Sequence, residues 1–377
     1  MTYPRSRQPR FKHHSETFDG HPIALPGSPM QETKMAKRLV PINYTAGISN
    51  TSFIYHLGWL LAENYRVLLV DADPKCDLTS LVLREGFDQH YRAETTCRHN
   101  LKDATRAAFE LDAFLIREID CPAPPESPNL RLLPGHANLA ECDFQLTLVQ
   151  DANARFESME NTPGAFHHLI SLCERKYDID FTLINVPAGF GGVSANLFMH
   201  SDVFVVPVTP DPFAVKTLHT LKYVLARWIN WKKNSMGAFA RTAYPLGHGT
   251  PKFGGILNRP IVDYTGSIKR PAFEDVEKIR YAISNDFVPH LSTKGMTFPL
   301  EQYPPSLLTE GFRLGEIEDY SELHRRSLEV GIPAFALSDS DIDAFGASIA
   351  HGKMQRDHLR IQLESVAADL ASLLNHA

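Results

Sequence analysis

The sequence predicts an α/β protein with a doubly wound, mostly parallel sheet of about seven or eight strands and helices on both faces. Short, unbroken apolar runs alternate with helical patterns from residue 37 to about residue 260. Unbroken apolar runs are typical of strands buried on both faces, and their alternation with helices indicates parallel βαβ units. The predicted strands are Arg38 to Asn43, Arg66 to Asp71, Leu130 to Leu133, Phe181 to Val186, Val203 to Val208 and Phe253 to Leu257, the last of the core.

Helical patterns fill several connections between these strands. Pro41 is unusual in the first strand, because a proline in a central strand removes one hydrogen-bond donor from the ladder. Thr162 is predicted as the N-cap of the second helix, with Pro163 at its first position. The predicted helices run from about Thr51 to Asn64, from Pro163 to Lys176 and from about Phe213 to Trp231.

The chain is expected to divide into three parts. Residues 1–36 are expected to be a disordered basic tail, since the first 14 residues contain four basic and no acidic side chains. Residues 37–260 form the predicted α/β domain, in which the polar segment 85–129 is an insertion with one helix at about 101–118. Residues 261–377 are expected to be a mainly helical extension that packs on the core.

The last helical segment carries a short apolar seam with spacings of four and three residues. This seam is too short to establish a coiled coil. It fits either docking on the domain's own core or a contact between two copies of the chain. Its members are Leu359, Leu363, Val366, Leu370 and Leu373.

Composition excludes several classes of protein. The formal net charge is -6, which gives no sign of bulk affinity for nucleic acid. No apolar run approaches the roughly 20 residues that span a bilayer. The five cysteines are scattered without a CxxC pair, as in a reduced intracellular protein, so a cytoplasmic location is expected.

The loop between the first strand and the first helix has most features of a phosphate-binding loop. Such a loop needs small residues, free amides at a helix N-terminus, a lysine for the β- and γ-phosphates and a hydroxyl for Mg²⁺. Ala46, Gly47 and Ser49 are small, and Thr51 supplies the hydroxyl. Asn50 stands where the lysine is needed.

The run Thr45 to Ser52 resembles the deviant Walker A motif of the ParA/MinD family of P-loop ATPases, KGGxxKT[ST]. The segments 56–63, 67–74, 133–141 and 206–211 are similar to the same family in order and spacing. The resemblance covers residues 37 to 260. It implies a P-loop NTPase fold and a site for ATP and Mg²⁺, with Thr51 at the metal. The implied nucleotide-binding residues are Ala46, Gly47, Ile48, Ser49, Asn50, Thr51, Ser52 and Asn258.

Three departures from the family pattern remove charge from this one site. The signature lysine of the family falls on Thr45, its loop lysine on Asn50, and its Walker B aspartate on Asn185. Asp71 remains, and the resemblance implies that it positions the hydrolytic water. ATP hydrolysis is therefore disfavoured, and nucleotide binding is expected to be weak at most.

Two lysines are candidates to replace the missing cations. Lys75 follows the second core strand, and Lys216 lies near the start of the helix after Pro210. Each also fits a solvated surface side chain. By resemblance, Pro207 to Phe213 and Asn258 lie in regions that approach the nucleotide base, although loop packing explains them equally well.

Three functions compete. The first is a pseudo-ATPase or weak nucleotide binder that acts through a protein partner or a homodimer. The second is a working ParA-type ATPase that positions DNA or cargo with a substitute cation. The third is a nucleic-acid binder, which the charge disfavours because residues 251–377 hold 13 Lys/Arg against 18 Asp/Glu.

Overall fold

A computed structural model describes residues 35–44, 50–110, 115–151, 159–259, 261–262, 268–269, 272–317, 320–343 and 349–377. The predicted basic tail, up to Lys34, lies outside these ranges. The loop residues 45–49 and part of the predicted insertion also lie outside them.

Seven parallel strands form one sheet, which confirms the predicted fold class. Their order is β3-β2-β4-β1-β5-β6-β9, and all six ladders are parallel. A separate antiparallel pair joins β7 to β8. The strands are β1 (Lys37–Pro41), β2 (Val67–Asp71), β3 (Leu130–Leu133), β4 (Phe181–Asn185), β5 (Val203–Val208), β6 (Lys252–Asn258), β7 (Ile261–Val262), β8 (Ile268–Lys269) and β9 (Arg313–Glu316).

Helices connect and flank the strands. The helices are α1 (Asn50–Leu61), α2 (Asp77–Leu83), α3 (Phe87–Arg92), α4 (Leu101–Phe109), α5 (Ala140–Asp151), α6 (Thr162–Tyr177), α7 (Gly192–Met199), α8 (Ala214–Phe239), α9 (Phe273–Ala282), α10 (Val288–Ser292), α11 (Pro305–Thr309), α12 (Ser321–Val330), α13 (Asp339–Asp343) and α14 (Ile349–His376). Five π-helical residues, Ile283–Phe287, join α9 to α10. Within the described ranges, no helix is both long and apolar enough to cross a membrane.

Strand β1 lies at the centre of the sheet and tolerates its proline. Its ladder to β4 ends at Leu39, so no donor is needed from Pro41 on that side. On the other side, the amide of Ile42 donates to the carbonyl of Val205 at 2.9 Å. Helix α1 then packs closely over β2, since a Cβ on Gly58 would lie 2.5 Å from Cδ2 of Leu69. The glycine permits this close approach.

The C-terminal extension contributes a strand that the sequence pattern did not predict. Strand β9 pairs with β6 in parallel, so β6 is not the last strand of the sheet. Its four residues are Arg-Leu-Gly-Glu, in which only Leu314 is buried. A half-exposed edge strand of this kind lacks the apolar run that identified the central strands.

The predicted insertion helix at 101–118 was too long. Helix α4 ends at Phe109, and the chain from residue 115 to 120 has no regular structure. Ile116 and Ile119 are buried there, and the amide of Ile116 donates to Oη of Tyr244 at 2.9 Å. Tertiary packing therefore overrides helix propensity in this segment.

Helix α14 places its apolar seam on the molecule's own core. All five seam residues are buried within the single chain, and α14 contacts α1, β1 and β9. Helix α14 continues through Gly352 without a break. Docking on the core accounts for the seam without a second copy of the chain.

A buried ion pair occupies the amino end of the central strand. Nε and Nη2 of Arg38 donate to the two carboxylate oxygens of Glu174 at 2.8 and 2.7 Å. Oγ1 of Thr182 donates to the same carboxylate at 2.7 Å. Nη1 of Arg38 lies 2.6 Å from Nδ1 of His167, and burial, followed by the charge of Arg38, lowers the pKa of His167 to about 3. His167 is therefore neutral and accepts this hydrogen bond.

Candidate functional site

The polar residues singled out in the sequence meet at the carboxyl ends of three neighbouring strands. Asp71 ends β2 and Asn185 ends β4, and the two residues are direct partners in the ladder. Helix α1 begins at Asn50, after the loop that leaves β1. Because β4 lies between β2 and β1, the three ends form one edge. Parallel sheets place their ligands at this edge.

Asn50, at the position of the family's loop lysine, directs its amide into the protein. Its Nδ2 donates to Oδ1 of Asn43 at 3.1 Å and to the carbonyl of Val186 at 3.2 Å. A backbone carbonyl can only accept, so the contact with Val186 fixes which amide atom is nitrogen. Both Asn50 donors are therefore committed. Its Oδ1 is buried and has no hydrogen-bond partner in the described part of the chain.

Thr51 and Asn185 continue this neutral network. Oγ1 of Thr51 lies 3.5 Å from Oδ1 of Asn185, a long contact for a hydroxyl donor. Nδ2 of Asn185 donates to Oδ1 of Asp71 at 3.0 Å. Asn185 is fully buried, whereas Thr51 is half-buried. The side-chain amide of Asn185 thus connects the hydroxyl of Thr51, at the start of α1, with the carboxyl group of Asp71, at the end of β2.

Asp71 is fully buried in a shell of neutral donors. Oδ2 accepts the backbone amide of Thr79 at 2.8 Å and its hydroxyl at 2.7 Å. Oδ1 accepts the amide of Asp73 at 3.3 Å in addition to Asn185. Burial raises the pKa of Asp71 to about 6, against the opposing effect of the hydrogen bonds from Thr79 and Asn185. The carboxyl group therefore titrates near neutrality.

Gly135 closes the other side of this shell. A Cβ at this position would lie 2.8 Å from the carbonyl oxygen of Asp71 and 3.3 Å from its Cγ. The amide of Gly135 donates to Oγ1 of Thr79 at 2.9 Å. The role of Thr79 was not foreseen, because a lone threonine in α2 carries no sequence signal. Gly135 did carry a sequence signal, because it belongs to the Leu133-Pro134-Gly135 run at the end of a predicted strand.

A cleft opens beside this network, between β1 and β5. Its volume is about 410 Å³. Helix α1 leads from β1 toward β2, and α8 leads from β5 toward β6 on the opposite side of the sheet. The helices that follow these two adjacent strands run in opposite directions along the sheet. Open α/β sheets bind their ligands at such a switch point. The cleft is lined by Tyr44, Pro207, Val208, Thr209, Asp211, Phe213, Ala214, Lys216, Thr217 and Thr220.

The remaining predicted residues lie at different places around the site. Lys216 lines the cleft, whereas Lys75 is exposed after the end of β2. Asn258 is buried at the end of β6, where it pairs with Val208 and Glu316 rather than lining the cleft. Ser52 lies in the first turn of α1. Thr45, Ala46, Gly47, Ile48 and Ser49 lie outside the described residues.

Comparison with known proteins identifies the family of this architecture. The family model described as an AAA domain matches residues 36–236, which is more than half of the chain. The chain belongs to the ParA/MinD-type P-loop ATPase family. The match spans β1 to β5 and most of α8, and so includes Asn50, Asp71, Asn185 and the cleft.

Individual relatives are distant. The virulence plasmid ParA family protein pGP5-D of Chlamydia psittaci is 24% identical over 188 residues, which cover 49% of this chain and 62% of that relative. The crystal structure of protein DIP2308 from Corynebacterium diphtheriae is similar with a TM-score of 0.62 at 16% identity, covering 90% of this chain and 98% of that one. An ATP complex of a McdA variant from Cyanothece is similar with a TM-score of 0.52 at 16% identity, covering 90% and 97%. At these identities the solved structures establish the fold alone.

Proposed function

We propose that this ParA-like protein has a degraded ATP site and works as a pseudo-ATPase or weak nucleotide binder through a protein partner or a homodimer. The observation that carries the proposal is the neutral side chain of Asn50, whose two donors are bound to Asn43 and Val186. A phosphate group would have to displace these acceptors and would still meet no positive charge there.

The energetic consequence is large compared with ordinary ligand affinities. A hydrogen bond from a charged donor contributes about 1.5–3 kcal/mol. Loss of two lysine contacts, at Thr45 and Asn50, would cost roughly 3–6 kcal/mol, which is about 10²–10⁴ in affinity. Charge that develops on a transferred phosphoryl group would also lose its main stabilising cation.

The metal side of the site supports the same proposal. Mg²⁺ prefers carboxylate and water oxygens in an octahedral arrangement. Asn185 offers an amide in place of a carboxylate, and its Oδ1 lies toward the hydroxyl of Thr51. The carboxyl group of Asp71 has four donors on its two oxygens. These residues do not fit a magnesium triphosphate in the manner of the family.

A working ATPase that positions DNA or cargo is the second candidate. Its support is Lys216, which lines the cleft and forms no ion pair with any residue that the structure describes. Thr51 and Asp71 are also retained. This function requires Lys216, or another cation, to reach the phosphates during turnover.

Calorimetric titration with ATP and Mg²⁺, together with a phosphate-release assay, tests the proposal. The natural protein is expected to bind weakly or not at all and to release no phosphate above background. Asn50→Lys should strengthen ATP binding by about tenfold or more, because one charge-assisted contact returns.

The matched control is Asn64→Lys, which adds the same charge at an exposed position after α1. It should leave ATP binding unchanged. Micromolar binding with steady phosphate release by the natural protein would overturn the proposal and favour the working ATPase. Sedimentation equilibrium with and without ATP then shows whether a dimer forms and whether nucleotide controls it.

A further inference from the structure

Two of the five cysteines form a buried pair that joins the insertion to helix α6. Cys121 lies in the segment 115–129, before β3, and Cys173 lies in the second half of α6. Both side chains are buried, with exposed fractions of 2% and 0%. Their thiols are hydrogen-bonded to each other, although about 50 residues separate them in the chain. Sulfur atoms in such contact need only a short further approach to reach the length of a disulfide bond.

The backbone on the insertion side is already attached to the same part of α6. The amide of Cys121 donates to Oη of Tyr177 at 2.9 Å. Nζ of Lys176 donates to the carbonyl of Ile119 at 3.1 Å and to the carboxylate of Asp120 at 2.6 Å. The two α6 partners follow the helical thiol by three and four residues, and residues at these spacings share a helix face. A disulfide would therefore form between two segments that are docked together in its absence.

The two thiols differ in acidity. The hydrogen bond from the thiol of Cys121 lowers the pKa of Cys173. The same hydrogen bond, together with burial, raises the pKa of Cys121 well above its usual value. Cys121 thus keeps its proton, and Cys173 has the greater thiolate character. The thiolate is the form of cysteine that attacks peroxides, and a neighbouring thiol converts the product to a disulfide.

The segment that carries Cys121 covers an edge of the main sheet. Strand β3 is the outermost strand on that side, and the amide of Leu132 donates to the carbonyl of Pro122 at 2.9 Å. Residues 115–129 contain no helix or strand, and the side chain of Asp120 is 71% exposed. Segments of this kind open locally more readily than the core. Such opening gives a small oxidant access to the buried thiols.

We propose that Cys121 and Cys173 are a redox modification site, at which hydrogen peroxide forms a disulfide that fixes the segment 115–129 to α6. The sulfur of Cys173 attacks one peroxide oxygen, the O–O bond breaks, and a sulfenic acid and one water result. The sulfur of Cys121 then attacks the sulfur of Cys173. The S–O bond breaks, and the oxygen leaves as a second water with the proton of Cys121. The two thiols together lose two electrons, which reduce one peroxide to two waters.

This inference is independent of the proposed function. Glu174, which follows Cys173, pairs with Arg38 at the amino end of β1. The thiol pair therefore lies toward the edge of the sheet opposite to the candidate nucleotide site. Its oxidation can be measured whether or not the protein binds ATP.

Peptide mapping by mass spectrometry, after treatment of the purified full chain with hydrogen peroxide, tests the proposal. Trypsin releases Cys121 in the peptide 118–131 and Cys173 in the peptide 156–175, each with a single cysteine. These two peptides should appear as the predominant disulfide-linked species, which dithiothreitol separates. The melting temperature of the oxidised protein should rise by about 4 °C or more, because the bond closes a loop of about 50 residues.

Cys121→Ser and Cys173→Ser should each abolish the linked species and the rise in melting temperature. Cys142→Ser is the matched control, since it also removes a buried thiol, one in α5 whose pKa burial raises to about 12. It should keep both responses. Absence of the linked species at peroxide concentrations that oxidise the half-buried Cys97 would overturn the inference, as would a rise in melting temperature that persists in Cys173→Ser. The map of the natural protein needs no variant, so misfolding of a variant leaves the test decisive.

Discussion

The two ends of the central strand β1 differ in whether they carry paired charged side chains. At the amino end, Arg38 and Glu174 form a buried, two-pronged ion pair, although no family motif calls for charge there. At the carboxyl end, where the family places lysines and an aspartate, the chain has Asn50 and Asn185. Charge is thus kept where it is fully paired inside the fold. The lysines and the second carboxylate, which only a bound ligand would pair, are absent, and Asp71 alone is retained there.

A single substitution at the amino end of β1 should lower the free energy of unfolding more than one at the carboxyl end. Arg38→Met leaves the Glu174 carboxylate buried without its cation, which should lower the free energy of unfolding by about 3–5 kcal/mol. Urea denaturation measures this change. Arg92→Met is the control, because its pair with Asp88 is largely exposed and should contribute no more than about 1 kcal/mol. Equal effects of the two variants would remove the contrast between the ends of β1.

The carboxyl end can be tested by restoring its missing charge. Asn185→Asp places a second carboxyl group where the amide now donates to Asp71 at 3.0 Å. The loss of this donor and the repulsion between two buried carboxylates should cost roughly 2–3 kcal/mol at pH 7.5.

Asn50→Lys in the same chain should recover part of that cost, since it adds a cation near the pair. A double-mutant cycle in urea denaturation gives the coupling free energy directly. If Asn185→Asp were neutral for stability, the site would retain a compensating cation, and the working ATPase would regain support.

The pH dependence of stability gives the smallest expected effect. The folded pKa of Asp71 is raised to about 6 from 3.8, so ionisation of this group disfavours the folded state above that range. Its unfavourable contribution should shrink as the pH falls through 6. The stability of the natural protein relative to Asp71→Asn should therefore rise by about 1–2 kcal/mol between pH 7.5 and pH 5.

Comparison with Asp71→Asn cancels the titration of other groups, such as His167, whose pKa is lowered and which would act in the opposite direction. A pH-independent difference between the two proteins would mean that Asp71 stays ionised throughout. In that case a cation would lie near it.

The sequence was most informative where burial is complete. Central strands such as β2 and β4 are buried on both faces and could be predicted from their apolar runs, whereas the family resemblance placed their terminal residues Asp71 and Asn185 in one site, where the structure makes them ladder partners. Strand β9 could not be predicted, because a half-exposed edge strand has no periodic signature. The end of α4 was likewise set by distant partners such as Tyr244.

The candidate site was predictable in its residues but not in its contacts. Motif order located Asn50 and Asn185, yet only the structure shows that the donors of Asn50 bind Asn43 and Val186. The cleft could not be derived from sequence either, because it depends on the divergence of two connections and on the face that α8 presents. Of the two candidate lysines, the sequence offered no means to separate Lys216 from Lys75.

The position of β9 at the edge of the sheet has a consequence for synthesis of the chain. Strand β9 follows β6 by more than fifty residues, so it leaves the ribosome well after β6. Until β9 arrives, β6 presents an unpaired row of amides and carbonyls, which is a template for pairing with another chain. The nascent protein therefore exposes an edge that can pair with another chain during this interval. Helix α14 follows β9 in the chain and packs on both β9 and β1.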